Sequence, residues 1–341
     1  MKKVKIAQIG VGHNHGEAKM LSVLRSPEYF EMLGYAEPDE AWFKKRGHLK
    51  CYDGVPFMSV EELLDIPGLE AVLVEPAVPD LMKIARMCID RGLHIHLDKP
   101  AGYDLDEYRG ILRDAKRKNL VVQLGLMYRH NPAVQDCLRI AQSGELGEIY
   151  HMDCQMSGTY DLGYRNYLSE FPHGNMYIFG CHMHDMILSV MGAPEQVISM
   201  CHSTGRNGTD CIDNSISALV YPKGTCLVRI SSIEAGGWDR RQLVICGEKG
   251  TMQVSPLEKP IHTKLTRTRF ENGKDICTTE CKDYEFAIAD RYLEQVRDFA
   301  RIIRGEMENP YSWEYEYLSQ LVNLAACGVV EYKKPGKDFV L

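Results

Sequence analysis

The chain has 341 residues, 45% of them hydrophobic and 26% charged, with a formal net charge of −7. That length suggests about two domains. The acidic balance offers no basic stripe for nucleic acid, and no apolar run approaches the roughly 20 residues that span a bilayer. Twelve cysteines include no Cys-x-x-Cys, and most lie in apolar runs (Cys88, Cys154, Cys226, Cys246). They read as reduced, buried thiols of a cytoplasmic protein; the close pair Cys277 and Cys281 receives no role. Met1-Lys2-Lys3 imitates a signal peptide start, but the apolar run after it is short and breaks at Gly10, so it reads as a first strand.

The first third alternates strand and helix. Val4–Ile9 is apolar and β-branched, a helix over Asn14–Arg25 stops before Pro27, and strand patterns recur at Glu31–Glu37, Ala71–Glu75, His94–Leu97 and Leu120–Leu124. Helical patterns at Pro79–Arg91 and Leu105–Lys118 separate them. This alternation predicts a doubly wound parallel sheet covered on both faces, an α/β domain of the Rossmann type, over residues 1–124.

The grammar changes after Gly125. A helix (Pro132–Ser143), a strand (Glu148–Met156), a tyrosine-rich loop and a helix containing MYIFGCHMHD lead into successive strands from Gln196 to Val254. Ile216–Tyr221 and Thr225–Ile233 flank a Pro-Lys-Gly turn and read as a hairpin. Two helices, Tyr284–Arg304 and Trp313–Tyr332, close the chain. Residues 125–341 are thus expected to form an α+β domain with a large, mainly antiparallel open sheet.

Gly10-Val11-Gly12 follows the first strand and opens a helix, the context in which backbone amides approach a pyrophosphate. His15 stands where the third glycine of Gly-x-Gly-x-x-Gly belongs. Glu37 ends the second strand, where an acid binds the ribose 2′-hydroxyl of NAD and repels the 2′-phosphate of NADP. Gly10, Gly12, His13, Asn14, Glu37, Glu75 and Pro76 are therefore candidate cofactor residues. His13 and His15 read as polar loop residues near the cofactor. His182 and His184, two apart on a helix, point about 200° apart and cannot readily clasp one ion; no metal is expected. Asp98-Lys99-Pro100 puts a lysine at the carboxyl edge of the sheet. In the tyrosine-rich loop, Tyr160 and Arg165 are candidates for sugar stacking and for bonds to hydroxyls or a carboxylate.

Together these pieces resemble the Gfo/Idh/MocA family, the relatives of glucose–fructose oxidoreductase and inositol dehydrogenase. The matching segments run in order over nearly the whole chain: Val4–Gly16, Ala36–Asp39, Gly92–Pro100, Gly125–Pro132, Gly144–Ile149, Gly180-x-His182-x-x-Asp185, Gly247–Thr251 and the late helix with Asp298-Phe299. The resemblance implies that Lys99 reaches nicotinamide and substrate hydroxyl, that Pro100 follows a cis bond, that Tyr128, Arg129 and Asp185 line the substrate cleft, and that His182 is the acid–base group. It also implies NAD(H), a small polyol or sugar-derived substrate, and a homodimer or homotetramer. One departure stands out. The family often carries an aspartate four residues before the histidine, one turn away on the same face; here that residue is Ile178. Three readings follow: an oxidoreductase acting on a sugar, a cyclitol or a derivative; a lyase or glycosidase reaction through transient oxidation with no net redox change; and a non-catalytic dinucleotide sensor, against which Lys99 and His182 argue.

Overall fold

A computed structural model describes residues 2–258, 261–285, 290–336 and 339–341. The chain divides into two compact units.

The first unit is built on β1 (Val4–Ile9), α1 (Gly16–Leu24), β2 (Phe30–Ala36), α2 (Glu40–Arg46), α3 (Val60–Leu64), β3 (Ala71–Val74), α4 (Leu81–Asp90), β4 (His94–Leu97), α5 (Leu105–Arg117) and β5 (Val122–Leu124). The five strands pair in the order β2-β1-β3-β4-β5, every pair parallel. Strand order reverses beside β1, which makes the carboxyl edge there the natural ligand crevice. Local chemistry sets the helix starts: Asp39 caps α2, and Ser59 and Glu62 form a reciprocal capping box on α3.

The second unit holds α6 (Pro132–Gln142), β6 (Ile149–Gln155), α7 (Leu162–Ser169), α8 (Cys181–Met191), β7 (Gln196–His202), β8 (Asn214–Tyr221), β9 (Gly224–Ser231), β10 (Gln242–Gly247), β11 (Gly250–Val254), β12 (Ile261–Glu271) and β13 (Lys274–Tyr284). Eight strands form one open sheet, β13-β12-β11-β10-β6-β9-β8-β7, antiparallel except at β6–β9. The alternating burial of β10 and β11 shows one covered face. The β8–β9 hairpin closes at the Pro222-Lys223 turn.

Three features depart from the sequence reading. α7 forms where a loop is expected, because the Asp161 carboxylate accepts from the Tyr164 amide and caps it. Tyr284, expected to start a helix, ends β13. The β12–β13 hairpin was not anticipated, since β13 is exposed almost throughout and carries no apolar alternation. And the chain is not cut once at 124: Ala289–Tyr317 and Phe339–Leu341 join Met1–Met127 in the first unit. The reason is apolar. α9 (Leu293–Ile303) turns Val296, Phe299 and Ala300 into one cluster with Val4, Ile6 and Phe30. α10 (Trp313–Ala326) begins in the first unit and ends in the second.

Candidate active-site residues

In the first unit, the loop after β1 needs its glycines. Gly10 has φ +97°, and a Cβ there would lie 2.0 Å from Pro76 N; a Cβ on Gly12 would lie 2.7 Å from Ala77 N. Glu37, one residue past β2, folds over this loop. Its Oε2 accepts from the Val11 amide at 2.6 Å and its Oε1 from the Asp39 amide at 2.9 Å. Burial pushes its pKa up, against the pull of those two amides. Beside Glu37 opens a cavity of about 520 Å³, lined by Pro38, Phe57, Met58 and Met87 and by the charged Glu61 and Lys83. Its mixed walls and size suit a nucleoside.

Below the loop lies a buried ionic network the sequence did not announce. Lys19, in α1, is fully buried and sets its ammonium 2.7 Å from Asp98 Oδ2 and 2.9 Å from Glu75 Oε1. His13 Nδ1 and His15 Nδ1 approach Asp98 Oδ2 at 3.0 and 3.1 Å. Burial alone would lower the Lys19 pKa; Asp98 and Glu75 reverse that, and it stays charged. Burial and the Asp98 charge raise Glu75, while His13, Lys19 and His15 outweigh burial and hold Asp98 well below its usual range. Burial lowers His15 to about 3, so its ring is neutral. His13, His15 and Asp98 are spaced as metal ligands could be. The Lys19 ammonium, however, already sits on the oxygen both rings address, and a second cation there would meet its charge at close range.

The partners of several candidate cofactor residues are now visible. His13 points inward to Asp98 and Lys99 rather than outward from the loop, and is 6% exposed. Glu75 spends its carboxylate on Lys19, and Asn14 Oδ1 accepts from Arg46 Nη2 at 2.7 Å. Loop side chains carry no period, so nothing in the sequence fixed these directions. Lys99 lies two residues past β4, is 4% exposed, and precedes Pro100 through a cis bond.

In the second unit, MYIFGCHMHD is not one α-helix. Met176–Gly180 forms a π-turn before α8. Its wider turn breaks the one-turn relation assumed between residues 178 and 182. Ile178 is buried at 6% exposure. His182, the second residue of α8, is 2% exposed, and the Tyr128 ring meets it edge-on at 5.4 Å. Tyr128 Oη donates to Glu258 Oε1 at 2.9 Å. Arg241 donates to the same oxygen at 2.6 Å, to Ser157 O at 3.0 Å and to Tyr160 Oη at 3.1 Å, and its guanidinium lies 3.8 Å over the Trp238 ring. Tyr160 stacks on Phe179 at 5.4 Å and on Tyr164 at 4.9 Å. Sequence reading missed Arg241, Glu258 and Trp238; Arg240-Arg241 after Gly236-Gly237 was the available hint.

Two other assignments change. Arg129 grips Asp185 through two bonds, so this pair braces α8 rather than presenting free groups to a ligand. Arg165 donates to Asn207 Oδ1 at 2.8 Å and Arg206 O at 3.1 Å, although with Tyr160 it lines a cavity of about 200 Å³. His184 is wholly buried, between Asn323 Oδ1 at 3.2 Å and Ser217 Oγ at 2.8 Å.

A parallel sheet with a glycine loop at its switch point, followed by a large open sheet behind a histidine-bearing helix, defines a two-unit dinucleotide-fold protein. Within it, residues 134–253 match the family described as GFO/IDH/MocA C-terminal domain. That match lies within the second unit and is to the same family that the motifs resemble. The chain is 23% identical over 253 residues to scyllo-inositol 2-dehydrogenase (NAD(+)) of Bacillus subtilis (strain 168), covering 72% of this chain and 70% of that protein. It is 22% identical over 262 residues to trans-1,2-dihydrobenzene-1,2-diol dehydrogenase of Xenopus laevis, covering 74% and 75%. Its fold matches an oxidoreductase from Agrobacterium radiobacter in complex with NAD+, L-tartaric acid and magnesium, with a TM-score of 0.79 and 15% identity over 96% of each chain. Among the described residues, no helix is long and apolar enough to cross a membrane.

Proposed function

We propose that the protein is an NAD(H)-linked oxidoreductase acting on a CH–OH carbon of a sugar, cyclitol or derivative. The observation that carries this reading is the carboxyl edge of the first sheet. There the glycine loop follows β1, Glu37 follows β2 and Lys99 follows β4, with a nucleoside-sized cavity beside Glu37. The names of the relatives, a scyllo-inositol 2-dehydrogenase and a dihydrodiol dehydrogenase, support the same class.

Gly10, Gly12 and the amides of the loop would hold the pyrophosphate, and Glu37 the ribose. NAD, when bound, supplies the two-electron acceptor for the substrate carbon. Lys99 carries an ammonium that stabilises negative charge developing on the substrate oxygen. His182 takes the hydroxyl proton on a ring nitrogen. The Tyr128–Glu258–Arg241 chain holds the wall on which His182 leans.

Ile178 favours a second reading, the redox-neutral elimination, because an isoleucine neither orients an imidazole nor accepts a proton. One experiment separates the two. The protein is incubated with NAD+ and a panel of sugars, cyclitols and glycosides, with NADH followed by absorbance and products by mass spectrometry. NADH formed in step with a keto product supports the dehydrogenase; a dehydrated or cleaved product without NADH supports elimination. No NAD+ binding at all overturns both.

A further inference from the structure

Lys99 is held through its backbone from two sides. Its amide donates to Asp98 Oδ1 at 2.6 Å. Its carbonyl faces His13 Nε2 at 3.2 Å. The two grips come from different elements, Asp98 from the end of β4 and His13 from the glycine loop after β1.

The His13 ring bridges two turns: Nε2 faces the Lys99 carbonyl, while Nδ1 lies 3.0 Å from Asp98 Oδ2 and 3.3 Å from the His15 amide. An N–H on Nε2 makes the grip on the Lys99 carbonyl. Burial lowers the His13 pKa, and Asp98 opposes it. Asp98 is itself immobile: Lys19, His15 and the Lys99 amide all donate to its two oxygens. The arrangement thus transmits the position of the glycine loop to the turn that carries the lysine. Hydrogen bonding alone does not require a histidine at position 13 of a dinucleotide loop, and here the buried ring faces Asp98 and Lys99.

We propose that His13 is a positioning residue for Lys99, clamping its carbonyl so that the ammonium is presented at one point on the sheet edge. This rests on the reading of Lys99 given above. The effect is on placement, and a misplacement of about 1 Å can cost about 10²-fold in rate.

The test compares His13→Ala, His13→Gln, Lys99→Met and the double variant His13→Ala/Lys99→Met. Amide exchange of the peptide spanning Lys99 is read by mass spectrometry in each. NADH affinity is read by fluorescence, and kcat and KM on the substrate found by the panel. The clamp predicts that His13→Ala speeds exchange at Lys99 and lowers kcat by about 10- to 100-fold, with KM and NADH affinity little changed. Gln at 13 places an amide donor near the position of Nε2 and restores most of both. The double variant turns over no more slowly than Lys99→Met alone, because His13 acts through Lys99. Wild-type exchange and kcat in His13→Ala, while Lys99→Met is inactive, overturn the clamp and leave the function intact. So does a Gln variant as impaired as Ala. If Lys99→Met turns over normally, the functional reading falls, and the exchange data alone decide whether His13 holds the turn.

Discussion

Arg129 and Asp185, 56 residues apart, meet as a closed pair: Nε donates to Oδ2 at 3.0 Å and Nη2 to Oδ1 at 2.7 Å, with side chains 1% and 5% exposed. A two-pronged pair excluded from water fixes the entry of α6 against α8. It also leaves little of either group for a substrate. Removing one partner of such a pair strands a buried charge, so Asp185→Leu should lose about 3–5 kcal/mol of stability. Urea unfolding measures this. A variant of normal stability with a sharply raised KM would return Asp185 to the substrate site.

His184 gives a pH prediction. Burial lowers its folded pKa from 6.5 to about 4, so the folded state favours the neutral ring. The unfolded chain then binds the extra proton first, and stability is lost as pH falls from 6.5 towards about 4. Between pH 7.5 and 5 this one group should contribute a loss of about 2 kcal/mol. Its environment fixes the tautomer: Asn323 Nδ2 donates to Tyr177 O, so Asn323 Oδ1 accepts from His184 Nδ1–H and Ser217 donates to Nε2. Urea midpoints at the two pH values should fall less in His184→Gln than in the wild type, while the variant is less stable at pH 7.5. An equal slope in both proteins would show that the ring does not titrate as its burial demands.

Glu37 should make the protein prefer NAD(H) to NADP(H). Its carboxylate closes over the Val11 amide, where a 2′-phosphate would bring a second negative charge. Lys83 and Glu61 border the same cavity with opposite charges, so neither sign dominates there beyond Glu37. Glu37→Gln should narrow the ratio of the two dissociation constants by about tenfold, the effect of roughly 1.4 kcal/mol. Calorimetric titration with both cofactors tests it. Tighter binding of NADP to the wild type would remove Glu37 from the ribose site.

Lys99→Met should bind NADH with little loss and fail in turnover. In the proposed reaction the ammonium acts on charge that appears only as the reaction proceeds, so kcat and kcat/KM should fall together, by about 10²-fold or more. A variant with normal kcat would place Lys99 outside the chemistry.

Much of this was readable in the residues. The β4 strand His94–Leu97 and the β8–β9 hairpin stand where apolar runs and a Pro-Lys-Gly turn placed them, because a strand buried on one or both faces must advertise apolar residues. The β12–β13 hairpin carried a different signal, Asn272-Gly273 with both residues at positive φ, which dictates a tight turn even though β13 is exposed. The candidate residues stood out in the motifs, and their connections did not. Asp98 was visible, but not that Lys19 reaches it from α1. Arg129 and Asp185 were visible, but not that they satisfy each other. Such pairings depend on tertiary approach, which local period does not encode.

His182 is the last and sharpest case. It is buried at 2% exposure against the Tyr128 ring, at the first turn of a helix whose approach is a π-turn. His184 faces a different set of partners, so the two rings do separate work. His182→Ala should reduce turnover by about 10²–10⁴-fold, the usual contribution of a general acid–base group. Tyr128→Phe should have a milder effect: it keeps the ring on His182 and removes only the donor to Glu258. Chelator should change neither rate, since Lys19 already provides the cation beside His13, His15 and Asp98. Ile178→Asp tests what stands in for the family aspartate. In a π-turn, residue 178 is out of step with residue 182, so the new carboxylate would be buried without the imidazole as partner and should destabilise the protein. Gain of activity in Ile178→Asp would show that the ordinary one-turn relation holds after all. Activity that survives His182→Ala and disappears with chelator would move the chemistry from the helix to the His13–Asp98 cluster.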